Sequence, residues 1–148
     1  MPEPIARDQS RTLRTPRDLA RAGLVGEAAL PALETVATRY ATAITPAMAA
    51  LINPADPADP IGLQYIPDAA ELITAPHESE DPTADAPFTP VKGVVHRYPD
   101  RALLKPLLAC PVYCRFCFRR EKVGPDGGLL TEAVLQAALA WFEGTTAI

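Results

Sequence analysis

Apolar positions recur at helical spacing through the first third of the chain and lose that rhythm in the middle. Thr15-Pro16-Arg17-Asp18 has the form of a helix start: a hydroxyl cap, a proline at the first helical position and an acid in the first turn. The helix it opens is expected to end near Gly23 or Gly26. From Pro31 onward, Leu33, Val36, Ala37, Tyr40 and Ile44 fall on one face of a second helix. Thr45-Pro46 repeats the start signal, and Met48, Leu51 and Ile52 predict one face of a third. The run "NPADPADP", residues 53 to 60, stops it, because proline breaks the hydrogen-bond ladder and Asp and Asn favour turns.

Residues 67–90 are loop-rich and acidic, with a few helical residues predicted around Ala69 to Ile73. The segment has too little apolar surface to order itself alone and is expected to lie on another surface. The character changes near Val91. Arg101 to Leu108 predicts a strand running into a loop, although Pro106 sits badly in a paired strand. "VGPDGG" predicts a turn. Thr131 then caps a last helix with Val134, Leu135, Ala138, Leu139 and Phe142 on one side and Gly144 as its stop. Strand, loop and helix make half a βα unit. The pattern divides the chain into a helical region (1–66), a loop-rich connector (67–92) and the start of an α/β architecture (93–148).

Length and charge narrow the function. A chain of 148 residues suits one ordinary domain or part of a larger one. Its net charge of −4 argues against general nucleic-acid or acidic-membrane binding. No run approaches the roughly 18 apolar residues that span a bilayer, and the charged residues 1–18 lack the apolar core of a secretory signal. A cytoplasmic chain with reduced thiols is expected, with no membrane and no nucleic-acid partner.

All three cysteines lie in "CPVYCRFC", residues 110–117. Spaced i, i+4 and i+7, they would share one face of a helix as small buried hydrophobes. Structural zinc wants four ligands, which His96 would have to complete. An electron-carrying cluster uses four cysteines. Three thiolates on a [4Fe–4S] cubane leave one iron open, a defect in a carrier but a binding place in an enzyme. The spacing C-x3-C-x2-C is that of radical S-adenosylmethionine (SAM) enzymes, whose cosubstrate fills the open position. Arg115, Arg119, Arg120 and Lys122, against Glu121, make residues 115–122 basic within an acidic chain. The stretch reads as an anion pocket for carboxylate and phosphate.

The stretch "GVVHRYPDRALLKPLLACPVYCRFCFRREKVG" resembles the lysine 2,3-aminomutase family of radical SAM enzymes. "RYATAITPAMAALI" and "DPIGLQYIPDAAEL" upstream are similar to it too. The resemblance implies an N-terminal helical region followed by the first βα unit of a radical SAM partial (β/α) barrel. It implies an isomerase that moves an amino group between adjacent carbons of an amino acid, L-lysine first, with glutamate, arginine or a protein-bound lysine as other substrates. The implied cofactors are a [4Fe–4S] cluster, SAM and pyridoxal 5′-phosphate (PLP), and the implied partners are an electron donor such as flavodoxin or ferredoxin and a second copy in a homo-oligomer.

Position by position, Cys110, Cys114 and Cys117 match the cluster ligands. Arg97, Tyr98 and Arg101 match residues that approach the PLP phosphate, and Arg119 matches the arginine that takes the substrate's α-carboxylate. Arginine suits both tasks through its planar, permanently charged donor fork. On the residues alone, Arg97 and Arg101 read as ordinary ion pairs, for instance with Asp100 or Glu71. Tyr113 and Phe116 are expected to pack around the cluster, Arg120 to be a solvated neighbour, His96 to satisfy a local hydrogen bond, and Trp141 and Phe142 to belong to the core or edge of the last helix. The family's Gly-Gly-acid-Pro segment for SAM and its PLP lysine have no match, so no catalytic residue is assigned. The chain reads as the N-terminal part of such a protein, and the other readings are a non-catalytic zinc or Fe–S module or an inactive truncated product.

Overall fold

A computed structural model of the chain describes residues 11–124 and 128–146. The predicted helix starts form as their local chemistry dictates. Helix α1 spans Pro16–Arg21, and its capping box is complete: Thr15 accepts from the Asp18 N–H while the Asp18 carboxylate accepts from the Thr15 N–H. It ends in a Schellman turn. Leu24 N–H donates to Leu19 O at 2.9 Å and Gly23 N–H to Ala20 O at 2.9 Å, with Gly23 at φ 68, a conformation open to glycine. Helix α2, Leu30–Arg39, follows one tight turn at Glu27–Ala29. Helix α3 is Pro46–Leu51, capped by Thr45, and α4 is the single turn Gly62–Tyr65.

Two expectations about these helices are corrected. Ile44 is not on the second helix, which stops when Tyr40 turns extended. Ile44 instead pairs with Leu13 through two backbone hydrogen bonds of 2.9 and 3.0 Å. Leu51 faces solvent, while Ile52, just past the end of α3, is buried. The core of the helical region is thus Leu13, Leu19, Leu24, Ile44, Ala49 and Ile52, flanked by Met48, Ile61, Tyr65 and Ile66.

Residues 94–104 form an antiparallel hairpin, of which only the second strand was expected. Strand β1 is Val94–Tyr98 and β2 is Arg101–Leu104. The joining Pro99-Asp100 has no residue at positive φ, so the turn is not of the primed kind that matches strand twist. The register accordingly slips between Val95 and Tyr98. The strand predicted to Leu108 stops at Leu104, because Pro106 has no N–H to pair. Leu130 N–H uses the Pro106 carbonyl instead, at 2.9 Å. Helix α5, Glu132–Glu143, begins and ends where predicted, though the Thr131 hydroxyl makes no cap bond. Ala138 is its buried position, and Trp141 meets His96 of β1 edge-on at 5.1 Å. The His96 Nε2 is buried without a hydrogen bond, contrary to the expected local one. The turn predicted at "VGPDGG" falls partly on residues 125–127, outside the described residues. Among the described residues no helix is long and apolar enough to cross a membrane.

Candidate functional site

The cysteine loop is not helical: it is a chain of tight turns, with Cys117 N–H donating to Cys114 O and Arg120 N–H to Cys117 O, both at 3.1 Å. What holds it is the N-terminal helical region. Tyr113 N–H donates to Ala43 O at 3.0 Å and Arg115 N–H to Gln64 O at 2.8 Å. Arg115, between the second and third cysteines, turns inward. Its guanidinium takes Glu71 at 2.9 and 2.6 Å and the Ala41 carbonyl at 2.9 Å. Both side chains of this pair are nearly buried, and the bidentate geometry satisfies charges that burial would otherwise penalise.

Tyr40, 1% exposed, supplies the second anchor. Arg120 stacks on its ring at 4.3 Å and Arg39 lies over it at 4.9 Å, while its hydroxyl donates to Glu121 at 3.1 Å. Burial, aided by the Glu121 hydrogen bond, pushes the phenol above its ordinary value, so it stays protonated and donating. Arg120, expected to be a solvated neighbour, is therefore part of the loop's seat.

The three thiols line one cavity of about 70 Å³, with Tyr40, Val112, Tyr113, Arg115 and Arg120 as other walls. All three are unpaired; Cys110 is exposed and Cys114 and Cys117 are half-buried. Among the described residues no group of three or more His, Cys, Asp or Glu side chains is gathered tightly enough to hold a metal ion. Thiolates sharing one zinc stand only ~4 Å apart, since each Zn–S bond is ~2.3 Å. Ligands of a cluster bind different irons and stand farther apart, and the chemistry of three soft donors on one cavity is that of a cluster's ligands. His96 does not line this cavity and is packed on Trp141 instead, so the four-ligand zinc set gains no support. Tyr113 is buried beside the thiols as expected, but Phe116 is 69% exposed and shields nothing.

The basic stretch after the cysteines meets the acidic connector in a series of ion pairs. Besides Glu71–Arg115, Arg120 lies 3.9 Å from Glu71, Lys122 3.6 Å from Asp81 and Arg119 3.2 Å from Asp85. The surface on which the connector lies is thus the cysteine loop itself. Asp85 is the hub of this zipper. Its Oδ2 accepts from Lys105 at 3.1 Å as well as from Arg119. Burial alone would raise its carboxyl, but hydrogen bonds and charge from Lys105 and Arg119 outweigh that and hold it below the ordinary value.

The remaining candidate residues do not gather round one point. Arg97 donates to the carbonyls of Thr83 and Ala84 and stacks on Phe88 at 4.8 Å. Arg101 and Tyr98 pair across the hairpin end, guanidinium over ring at 4.8 Å, with Arg101 3.3 Å from Asp100. Tyr98 and Arg101 are exposed and available to a ligand, whereas Arg97 is committed to the connector. Glu71, the alternative partner considered for these arginines, belongs to Arg115.

No family model matches the chain. Against curated proteins it is 41% identical over 103 residues to the L-lysine 2,3-aminomutase of Clostridium subterminale, a match covering 70% of this chain and 25% of that protein. It is 37% identical over 105 residues to the L-lysine 2,3-aminomutase of Bacillus subtilis (strain 168), covering 71% and 22%. The chain belongs to the lysine 2,3-aminomutase family. A glutamate 2,3-aminomutase of Clostridioides difficile is 34% identical over 107 residues, 72% of this chain and 25% of that protein. The chain spans about a quarter of the length of these relatives. In this family member, Tyr40, Glu71, Asp85 and Lys105 were not picked out from the sequence as site residues. The signal that could have found two of them, Glu71 and Asp85, is the opposite sign of two blocks, acidic 71–85 and basic 115–122.

Proposed function

We propose that this chain carries the cluster-binding part of a radical SAM, PLP-dependent aminomutase that moves an amino group between adjacent carbons of an amino acid, with L-lysine as the first substrate to test. The observation that carries the reading is the cysteine cavity: three thiols at C-x3-C-x2-C on one small space, with no His, Asp or Glu lining it among the described residues. Cys110, Cys114 and Cys117 are the residues to hold the [4Fe–4S] cluster, and Tyr113 limits water at it. Arg120 places positive charge on the same wall, which favours an anionic ligand set. Arg119 takes the substrate carboxylate, and Tyr98 and Arg101 contact the PLP phosphate. Strand β2, the cysteine loop and α5 are read as the first strand–loop–helix unit of a partial barrel. When bound, the cluster and SAM supply radical chemistry and PLP a π-system for the migrating nitrogen. An electron donor of flavodoxin or ferredoxin type is the partner this chemistry requires.

Anaerobic reconstitution with iron and sulfide tests the reading. About four irons per chain are expected, with an electron paramagnetic resonance signal that changes on adding SAM. Cys114→Ser should remove both. One zinc and no iron in the purified protein, or a cluster indifferent to SAM, would sink it.

A further inference from the structure

Arg119, which the proposed function assigns to the substrate's carboxylate, is held from two sides. The Phe118 ring lies under its guanidinium at 4.5 Å, and Asp85 Oδ2 accepts from its Nη2 at 3.2 Å. Asp85 is 7% exposed, and a carboxylate so buried needs compensation. Lys105 provides it on the same oxygen at 3.1 Å, and Arg97 stands 3.9 Å from Oδ1.

The connector is bent to deliver this carboxylate. Ala84 adopts φ 49, uncommon for any residue but glycine. Its carbonyl and that of Thr83 are taken by Arg97. Asp81 secures the turn from inside, accepting from the Asp85 N–H at 3.0 Å and the Ala86 N–H at 2.8 Å.

A guanidinium has five N–H donors. Asp85 engages one of them, through Nη2, and no bond is made by Nη1 among the described residues. Donors therefore remain for a second carboxylate while the first fixes the plane. Because Lys105 neutralises Asp85, the incoming anion need not expel it.

We propose that Asp85, neutralised by Lys105, is a positioning residue that orients the Arg119 guanidinium for a carboxylate-bearing substrate. The inference rests on the aminomutase reading for the substrate, and not for the geometry, so two readouts separate the two. The first needs no turnover. In the 148-residue chain the Arg119 guanidinium Nη–H signals in a nitrogen-15 spectrum, assigned by their loss in Arg119→Lys, should exchange with water about tenfold faster in Asp85→Asn. Asp85→Glu should restore slow exchange. Equal exchange in wild type and a folded Asp85→Asn overturns the proposal. If Asp85→Asn does not fold, the wild type decides: restricted rotation of the Arg119 guanidinium is expected, and free rotation overturns it.

The second readout uses the reconstituted holoenzyme with L-lysine. Asp85→Asn should raise KM about tenfold with kcat little changed, and Asp85→Glu should recover most of the loss. An unchanged KM overturns the proposal, as does a lower one, which would make Asp85 a competitor of the substrate. A wild type that leaves L-lysine untouched, while the Arg119 signal still depends on Asp85, removes L-lysine turnover by this chain and keeps the positioning role.

Discussion

Residues 11–66 and the segment from Val94 onward treat their apolar side chains in opposite ways. In the first, Leu19, Val36 and Ile44 are fully buried around short, well-capped helices. In the second, Val94, Val95 and Ala138 are buried, while Leu103, Leu107, Leu129 and Leu139 are 38–77% exposed. The cysteine loop comes between β2 and α5 in sequence, yet its side-chain and backbone anchors are Tyr40, Ala41, Ala43, Gln64, Glu71 and Asp85. The loop therefore takes its shape from the region that has a core and from the connector that follows it, and the hairpin and last helix are its neighbours rather than its support.

Breaking the anchor tests this contrast most severely. Glu71→Ala leaves Arg115 buried without its partner and should cost about 3–5 kcal/mol in urea unfolding. It should also abolish iron loading by the cysteines. Arg101→Ala, which removes an exposed pair with Asp100 on the hairpin, should change stability by less than about 0.5 kcal/mol. If the two variants cost the same, the loop does not depend on its Glu71 anchor in the way described.

The apolar counterpart is somewhat smaller. Leu19→Ala, at a fully buried position, should lose about 3 kcal/mol. Leu103→Ala, half-exposed on β2, should lose under about 1 kcal/mol. Next comes the cap of α1, where Thr15→Ala should cost about 1 kcal/mol in the same unfolding assay.

The smallest effect is a pH slope. Burial would raise the Asp18 carboxyl, but hydrogen bonds from the Thr15 hydroxyl and the Arg14 and Thr15 N–H groups, with the Arg11 charge, hold it below its ordinary value of 3.8. A carboxyl lowered in the folded state adds stability above its unfolded value. It loses that stability as pH falls through the lower folded one. Unfolding midpoints should therefore drop as pH falls from about 4, and Asp18→Asn should flatten that acid-side slope. A variant with the wild-type slope would assign it elsewhere.

What the sequence revealed was local. Thr15-Pro16 and Thr45-Pro46 announce helix starts because a cap and its proline act within one turn. The cysteine spacing was equally legible, and the three thiols do line one cavity. What it hid was long-range or ambiguous. Glu71 meets Arg115 across 44 residues and Tyr40 meets Glu121 across 81, separations that no periodicity encodes. Ile44 fits a helical repeat with Tyr40, yet the pairing with Leu13 decides its conformation. Strand β1 went unread because "HRYPDR" has neither an apolar alternation nor a turn signal of the usual hairpin kind.

The direction of the Arg115 contacts has a consequence for synthesis. Every group that seats the loop (the carbonyls of Ala41, Ala43 and Gln64 and the carboxylate of Glu71) precedes Tyr113 in the chain. A nascent chain emerges from its N-terminus and folds in that order. The mould is thus made before the casting: when the cysteines leave the ribosome, the surface that will shape them has already been translated.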